Sequence, residues 1–283
     1  MTGPLLDVSE LRVAYPGRGF RGRPNEVLHG VSLSVHEGET LGLVGESGSG
    51  KTTIGRAVLG LAKPSGGRIL FEGQDVTHAP AKVRRSMARD IQVVFQDPYT
   101  SLNPSLTIGD ILSEPLVVQG VSGAEARTRV LELLDQVGLP ADAAARLPRE
   151  FSGGQRQRVA IARALAPRPR LIVCDEPVSA LDLSTQTRVL DLFIDIQRRT
   201  GVAYLFVSHD LAVIRHVSHR VTVLYRGNVV ETGTADGITA SPEHPYTQGL
   251  LLAAPVADPA RQRERRAERR RLATLKSSTS KAS

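Results

Sequence analysis

The sequence predicts an α/β fold around a parallel sheet, and three observations carry that expectation. The first is the loop Gly45-Glu46-Ser47-Gly48-Ser49-Gly50-Lys51-Thr52, a complete G-x-x-x-x-G-K-[ST] pattern. It lies between a strand-like segment at residues 39–44 and a helix-like segment at 53–61. The second and third are short, wholly apolar runs at 171–174 and 203–207 that end in polar residues. Buried parallel strands read this way when their carboxyl ends carry the chemistry. In the loop, glycines let backbone N–H groups turn inward around phosphates, and the following helix aims its positive end at them. Lys51 can reach the β- and γ-phosphates, and the Thr52 hydroxyl can ligate Mg²⁺. The substrate class is therefore a nucleoside triphosphate with Mg²⁺. Gly45, Ser47, Gly48, Ser49, Gly50, Lys51, Thr52 and Thr53 are its candidate contacts.

In chain order, residues 8–15 and 27–36 read as paired strands joined by the polar, Gly/Arg/Pro-rich stretch 16–26. Strands are next expected at 68–71 and 91–95. From about 107 to 138 the pattern turns helical, with Val130, Leu133, Leu134 and Val137 recurring within 124–137. Residues 220–225 and 228–231 suggest a final hairpin turning at Arg226-Gly227. No internal repeat is visible. Beyond Pro255 the chain is rich in Arg, Ala and Ser, and reads as a helix-prone basic stretch with a disordered end.

Composition narrows the classes. A chain of 283 residues with 41% hydrophobic and 23% charged residues is long enough for one large domain, or a domain with subdomains. The single Cys174 excludes an internal disulfide framework and a cysteine zinc cluster, and fits a reducing cytosol. The first residues, Met-Thr-Gly-Pro-Leu-Leu-Asp, lack a basic n-region and an apolar h-region, so no secretory signal is expected. No apolar run approaches the ~18–20 residues of a membrane span, so a membrane role would come through a partner. The net charge of +7 is concentrated at the end: residues 261–283 hold seven Arg and two Lys against two Glu. The first 260 residues carry 27 basic and 27 acidic groups. Bulk charge therefore gives no argument for nucleic-acid binding, and the tail offers no aromatic for base stacking.

Leu171-Ile172-Val173-Cys174-Asp175-Glu176 delivers two adjacent acids to the expected sheet edge. Asp175 is the candidate for holding Mg²⁺, and Glu176 for accepting a proton from attacking water. Phe151-Ser152-Gly153-Gly154-Gln155-Arg156 is a helix start in which Ser152 and Gln155 can form a capping box. Two glycines in its first turn leave N–H groups bare for an anion. A second phosphate-binding helix start is redundant for one nucleotide in one chain. It makes sense if it faces a nucleotide held by another subunit.

Ser152-Gly153-Gly154-Gln155, ahead of the Asp175–Glu176 strand, resembles the signature of ATP-binding cassette (ABC) ATPases. Other elements fall in that family's order. Gln96 stands as the Q-loop glutamine does, Ser179-Ala180-Leu181-Asp182 resembles the D-loop, and His209 after Tyr204-Leu205-Phe206-Val207-Ser208 matches the switch histidine. Tyr15 falls where the family stacks an aromatic on adenine. Within the family the resemblance is to ATPase subunits of oligopeptide/dipeptide (and nickel) importers. It rests on Gln96-Asp97-Pro98-Tyr99-Thr100-Ser101-Leu102-Asn103-Pro104, Cys174 to Asp182, Ser208-His209-Asp210-Leu211-Ala212-Val213 and His244-Pro245-Tyr246-Thr247. It covers about residues 5–255. Three departures stand out. The Arg-rich tail replaces a longer cysteine-containing extension, His219 stands where the family usually has an acid, and 16–26 is an insertion beside the expected adenine pocket.

The resemblance implies a P-loop NTPase core of ABC type with an antiparallel β subdomain and a helical signature subdomain. Residues 1–235 would form the nucleotide-binding domain, with the helical subdomain at about 98–165. A short C-terminal extension would follow at 236–260 and a basic tail at 261–283. It implies ATP and Mg²⁺ as cofactors, with Thr52, Gln96 and Asp175 around the metal. Glu176, His209 and Gln96 would be catalytic. Ser152, Gly153, Gly154, Gln155 and Asp182 would meet the ATP of a second ABC ATPase subunit, identical or paralogous. The expected function is to power uptake of oligopeptides or dipeptides through separate transmembrane permease subunits, fed by a substrate-binding protein. The expected place is the cytoplasmic face of the cell membrane. Alternatives are an importer of nickel or another small solute, and a multi-subunit exporter.

Overall fold

Residues 3–17 and 24–253 are described by the computed structural model. The two N-terminal strands alternate as half-buried strands must: β1 (Leu6–Tyr15) buries Leu6, Val8, Leu11 and Val13, and β2 (Asn25–Val35) buries Leu28, Val31, Leu33 and Val35. They pair antiparallel, with Tyr15 opposite Asn25, and β1 shifts register between Val8 and Leu11. Residues 18–23, most of the insertion expected beside the adenine pocket, lie outside the described residues. β3 (Thr40–Val44) is buried at every position, as a central parallel strand is. The phosphate loop follows and runs into α1 (Lys51–Val58). Sequence periodicity places this helix at 53–61. It begins two residues earlier because Gly50, at φ 107, turns the loop directly into the first helical turn. It ends earlier because Gly60 is also left-handed.

The chain continues through β4 (Gly66–Phe71), β5 (Gln74–Asp75), α2 (Ala81–Met87) and β6 (Ile91–Val94). Helices α3 (Pro98–Ser101), α4 (Ile108–Val118), α5 (Gly123–Gln136) and α6 (Gly153–Leu165) come next. The helical stretch expected at 107–138 is thus two helices. They are split where Gly120 adopts φ +83 and Ser122 forms a capping box with Glu125. After them come β7 (Leu171–Asp175), α7 (Leu183–Thr200), β8 (Ala203–Ser208), α8 (Leu211–Val217), β9 (Arg220–Tyr225) and β10 (Asn228–Thr234). Two helices, α9 (Ala235–Ala240) and α10 (Pro245–Ala253), close the described part.

The strands form two sheets. One is antiparallel, in the order β2-β1-β4-β5; the other has the order β10-β9-β3-β8-β7-β6. In the second, β3 pairs parallel with β8 and β9, β8 with β7, and β7 with β6, while β10 returns antiparallel as the expected hairpin. Each central strand buries both faces. Leu41, Leu43, Leu171, Val173, Leu205 and Val207 share a core with the antiparallel sheet and α1. Val44, Ile172, Cys174, Tyr204 and Phe206 share the other core with α6, α7 and α8. Two apolar layers on one sheet hold its carboxyl edge rigid, and the phosphate loop, Asp175, Glu176, Gln96 and His209 follow the strands at that edge, while Tyr15 ends β1 of the antiparallel sheet. Among the described residues no helix is long and apolar enough to cross a membrane.

Candidate functional site

The phosphate loop is shaped by close backbone approach. A Cβ on Gly45 would lie 2.2 Å from the Leu224 carbonyl oxygen and 2.8 Å from Ser49 Oγ, so no other residue fits without displacing β9. The Gly227 N–H donates to the Ser49 carbonyl at 2.9 Å, so the β9–β10 turn braces the loop from outside. Gly50 caps α1 with no side-chain bond, which leaves the first-turn N–H groups to a ligand. Lys51 is only 4% exposed, and its ammonium donates to the carbonyls of Gly45 at 2.7 Å and Glu46 at 3.0 Å. Burial lowers its pKa, opposed by the carboxylates of Glu176, Asp175 and Glu46.

Thr52 Oγ1 donates to Asp175 Oδ1 at 2.9 Å, joining the loop helix to the end of β7. Burial raises the Asp175 pKa, and the Thr52 bond holds it back. The next residue, Glu176, has φ 48, a left-handed conformation that costs a non-glycine residue about 1–3 kcal/mol. Its N–H is tied to the Val207 carbonyl at 3.0 Å. That twist carries the Glu176 side chain to His209, where Nδ1 meets Oε2 at 3.0 Å. A carboxylate only accepts, so Nδ1 carries the proton in this pairing. Gln96 lies two residues past β6 and is exposed; β6 and β7 pair with Val94 opposite Cys174, so Gln96 and Asp175 leave adjacent strands at one edge. Tyr15 ends β1 and is 38% exposed.

The helix start at Ser152 forms the capping box its residues imply. The Gln155 N–H donates to Ser152 Oγ at 3.3 Å, and the Ser152 N–H donates to Gln155 Oε1 at 2.9 Å. Gly154 is required there: a Cβ would stand 2.3 Å from Thr185 Cγ2, so α6 starts against the first turn of α7. Asp182 caps α7, accepting from the Thr185 N–H at 3.0 Å and the Ser184 hydroxyl at 2.7 Å, and these bonds hold its pKa well below the usual carboxylate range. Its carboxylate is thereby committed within this chain. The structure brings Lys51, Thr52, Asp175, Glu176 and His209 together through direct hydrogen bonds or charge. Ser152 to Gln155 are held instead by α6 and α7.

Two further residues, outside the nucleotide motifs, tie the site to the rest of the fold. His219, where the family usually has an acid, accepts the Thr40 N–H on Nδ1 at 3.0 Å and so pins the start of β3. Tyr246 of α10 carries no role in the sequence reading; its hydroxyl oxygen accepts the Glu46 N–H at 2.8 Å, 200 residues away in the chain. The only sequence signal for it was the resemblance of His244 to Thr247.

This geometry can be set against known proteins. A family profile described as ABC transporter matches residues 28–179, more than half of the chain. The chain belongs to the ABC transporter family. A second profile, the C-terminal region of oligopeptide/dipeptide transporters, matches residues 230–280 and so runs through the basic stretch set apart at 261. That stretch lies outside the described residues. Relatives called glutathione import ATP-binding protein GsiA, from Escherichia coli strain K12 and Shigella boydii, are 51% identical over 269 residues. Those matches cover 93% of this ABC chain but 43% of each relative, so the chain spans less than half of their length. Among solved structures, cbiO1 from Clostridium perfringens, described as part of the ABC transporter complex cbiONQ, has a TM-score of 0.76 at 28% identity, covering 88% of this chain and 96% of that one. The ATP-binding cassette MJ0796, solved as a dimer in a post-hydrolysis state with ADP and Pi, has a TM-score of 0.72 at 31% identity, covering 81% and 98%. The fold is therefore the P-loop NTPase fold of ABC type, with the antiparallel sheet and the helical part the sequence predicts.

Proposed function

We propose that this chain is the ATP-hydrolysing subunit of an ABC importer for oligopeptides or dipeptides. The observation that carries the hydrolytic reading is the Glu176–His209 contact of 3.0 Å beside the Thr52–Asp175 contact of 2.9 Å, on one sheet edge. The peptide reading is supported by the C-terminal match and by relatives whose name states glutathione import. Residues 1–235 serve as the nucleotide-binding domain, with the helical subdomain at about 98–165 and the C-terminal extension beyond. A second ATPase subunit, transmembrane permease subunits and a substrate-binding protein complete the system, at the cytoplasmic face of the membrane.

The residues present fit the metal as well as the nucleotide. A hydroxyl and a half-buried carboxylate 2.9 Å apart are hard oxygen donors, and Mg²⁺ commonly takes only one or two protein groups beside phosphate and water. Bound there, Mg²⁺ would neutralise charge on the β- and γ-phosphate oxygens. Thr52 and Asp175 offer it oxygens, with Gln96 on the adjacent strand end. Lys51 exchanges its two loop carbonyls for phosphate oxygens. Glu176 accepts the proton of the attacking water, and His209 donates to Oε2 and so holds the carboxylate in place. Tyr15 stacks on the adenine. Ser152 to Gln155 and Asp182 face the nucleotide of the second subunit, so hydrolysis loosens the dimer, and the helical subdomain passes the motion to the permease.

MgATP at one hundred times its dissociation constant should raise stability by about 2.7 kcal/mol, a rise of roughly 5–10 °C in Tm. The rise should depend on pH. Burial holds the Asp175 pKa up, so this group's contribution to stability falls as pH rises from its unfolded value through its folded one. Metal binding needs the ionised form, so the MgATP-induced rise should shrink as pH is lowered into that window. Differential scanning fluorimetry across pH checks this; Asp175→Asn should lose most of the rise at every pH. For cargo, the chain reconstituted with its permease should hydrolyse ATP faster when the binding protein is loaded with a di- or oligopeptide. Stimulation by nickel and not by peptides would overturn the cargo while leaving the hydrolytic reading intact.

A further inference from the structure

The second residue of the phosphate loop is held on both sides of its peptide. The Glu46 carbonyl accepts the Ser49 N–H at 3.1 Å and the Lys51 ammonium at 3.0 Å. Its N–H donates outward, to the Tyr246 hydroxyl at 2.8 Å. Tyr246 is 7% exposed, and its ring packs on Tyr225 at the end of β9, with centroids 4.3 Å apart. The turn that delivers it is itself bonded in place. The Glu231 carboxylate on β10 accepts the N–H groups of Glu243 at 2.8 Å and His244 at 3.1 Å. His244 Nδ1 then accepts the Tyr246 N–H at 3.1 Å, at the first turn of α10. A continuous chain of bonds therefore runs from β10 through Glu231, His244 and Tyr246 to Glu46 and Lys51.

We propose that Tyr246 is a positioning residue of the nucleotide site, and that through it the C-terminal region holds the phosphate loop in its phosphate-binding shape. The inference rests on the reading of this loop as an ATP site. The loop must keep its N–H groups aimed at the phosphates, and a free Glu46 peptide would let its first turn rotate. Tyr246 supplies the acceptor that fixes that amide and takes up no other N–H of the loop. Burial raises the Tyr246 pKa, so the phenol stays neutral at ordinary pH and makes its bond without placing a negative charge beside the phosphates. Perturbations of the C-terminal region thereby change affinity for ATP without touching the nucleotide.

Tyr246→Phe in the full chain removes one hydroxyl and keeps the ring on Tyr225. Thr247→Val is the matched control: Thr247 is fully buried, its Oγ1 has no partner among the described residues, and it lies in the same helical turn. The probe is MgATP, measured by steady-state hydrolysis and by titration with a fluorescent trinitrophenyl ATP. Y246F should raise KM and the dissociation constant roughly three- to tenfold, the size of one hydrogen bond, with kcat nearly unchanged. T247V should leave both constants as they are. Equal constants for Y246F and the native chain, or equal rises in Y246F and T247V, would overturn the proposal. Hydrogen exchange at the Glu46 amide needs no nucleotide and no variant. Protection in the native chain supports the brace even if that chain fails to bind MgATP, an outcome that would remove the ATP reading alone. Exchange at the rate of an open loop removes the brace, whatever the fate of Y246F.

Discussion

Glu176→Gln is expected to lower ATP turnover by about two to four orders of magnitude while nucleotide binding survives. The change is close to isosteric at a side chain that is 18% exposed, so the carboxamide fits. Its oxygen still accepts from His209 Nδ1, and the backbone twist at φ 48 is untouched. What is lost is the capacity to take a proton from water. Opening of the dimer depends on hydrolysis in the proposed cycle, so the variant should also accumulate as an ATP-bound dimer. Single-turnover kinetics with MgATP and light scattering of the same sample measure the two consequences separately. A turnover within tenfold of the native chain would show that Glu176 is not the base, whatever the state of the dimer.

Why the acid pair was legible in sequence, and Tyr246 was not, is a matter of range. The loop, the Asp175–Glu176 pair and the Ser152–Gln155 box are defined by residues within a few positions of one another, and local backbone chemistry decides their form. Element type followed for the same reason in the buried strands, where unbroken apolar runs leave little alternative. Sheet order did not follow: β3 pairs with β8 and β9, more than 150 residues away, and periodicity carries no information on partners. Helix α7 is hidden in the sequence because its cap, Asp182, reads as part of a D-loop, although Val189, Leu190, Phe193 and Ile196 form a buried helical face. The Glu46–Tyr246 bond lies at the far end of this scale. It depends on the fold closing first.

Phe193→Ala is expected to cost about 3–5 kcal/mol of stability, the range for deleting a fully buried aromatic side chain. Phe193 has no exposed surface and stands edge-on to Tyr204 and Phe206, with ring centroids at 5.4 Å in both pairs. Its carbonyl accepts the Tyr204 hydroxyl at 3.3 Å. The ring therefore fastens α7 to β8, and a cavity there cannot close without moving one of them. The loss matters beyond the core, because a typical domain has only about 5–15 kcal/mol in all. It matters to the site because α7 starts at Asp182 and seats Gly154 of the signature helix through Thr185. Phe193→Leu keeps much of the volume and should cost roughly 1–2 kcal/mol. Urea denaturation of both variants separates packing from other effects. A midpoint shift for F193A no greater than that for F193L would mean that α7 is not held by this ring. If the larger loss is found, MgATP should recover about 2.7 kcal/mol of it at one hundred times the dissociation constant, because the ligand binds only the folded chain. The fraction that remains folded should then bind nucleotide with native affinity, since Phe193 belongs to the core beneath α7 and is not one of the residues assigned to the nucleotide.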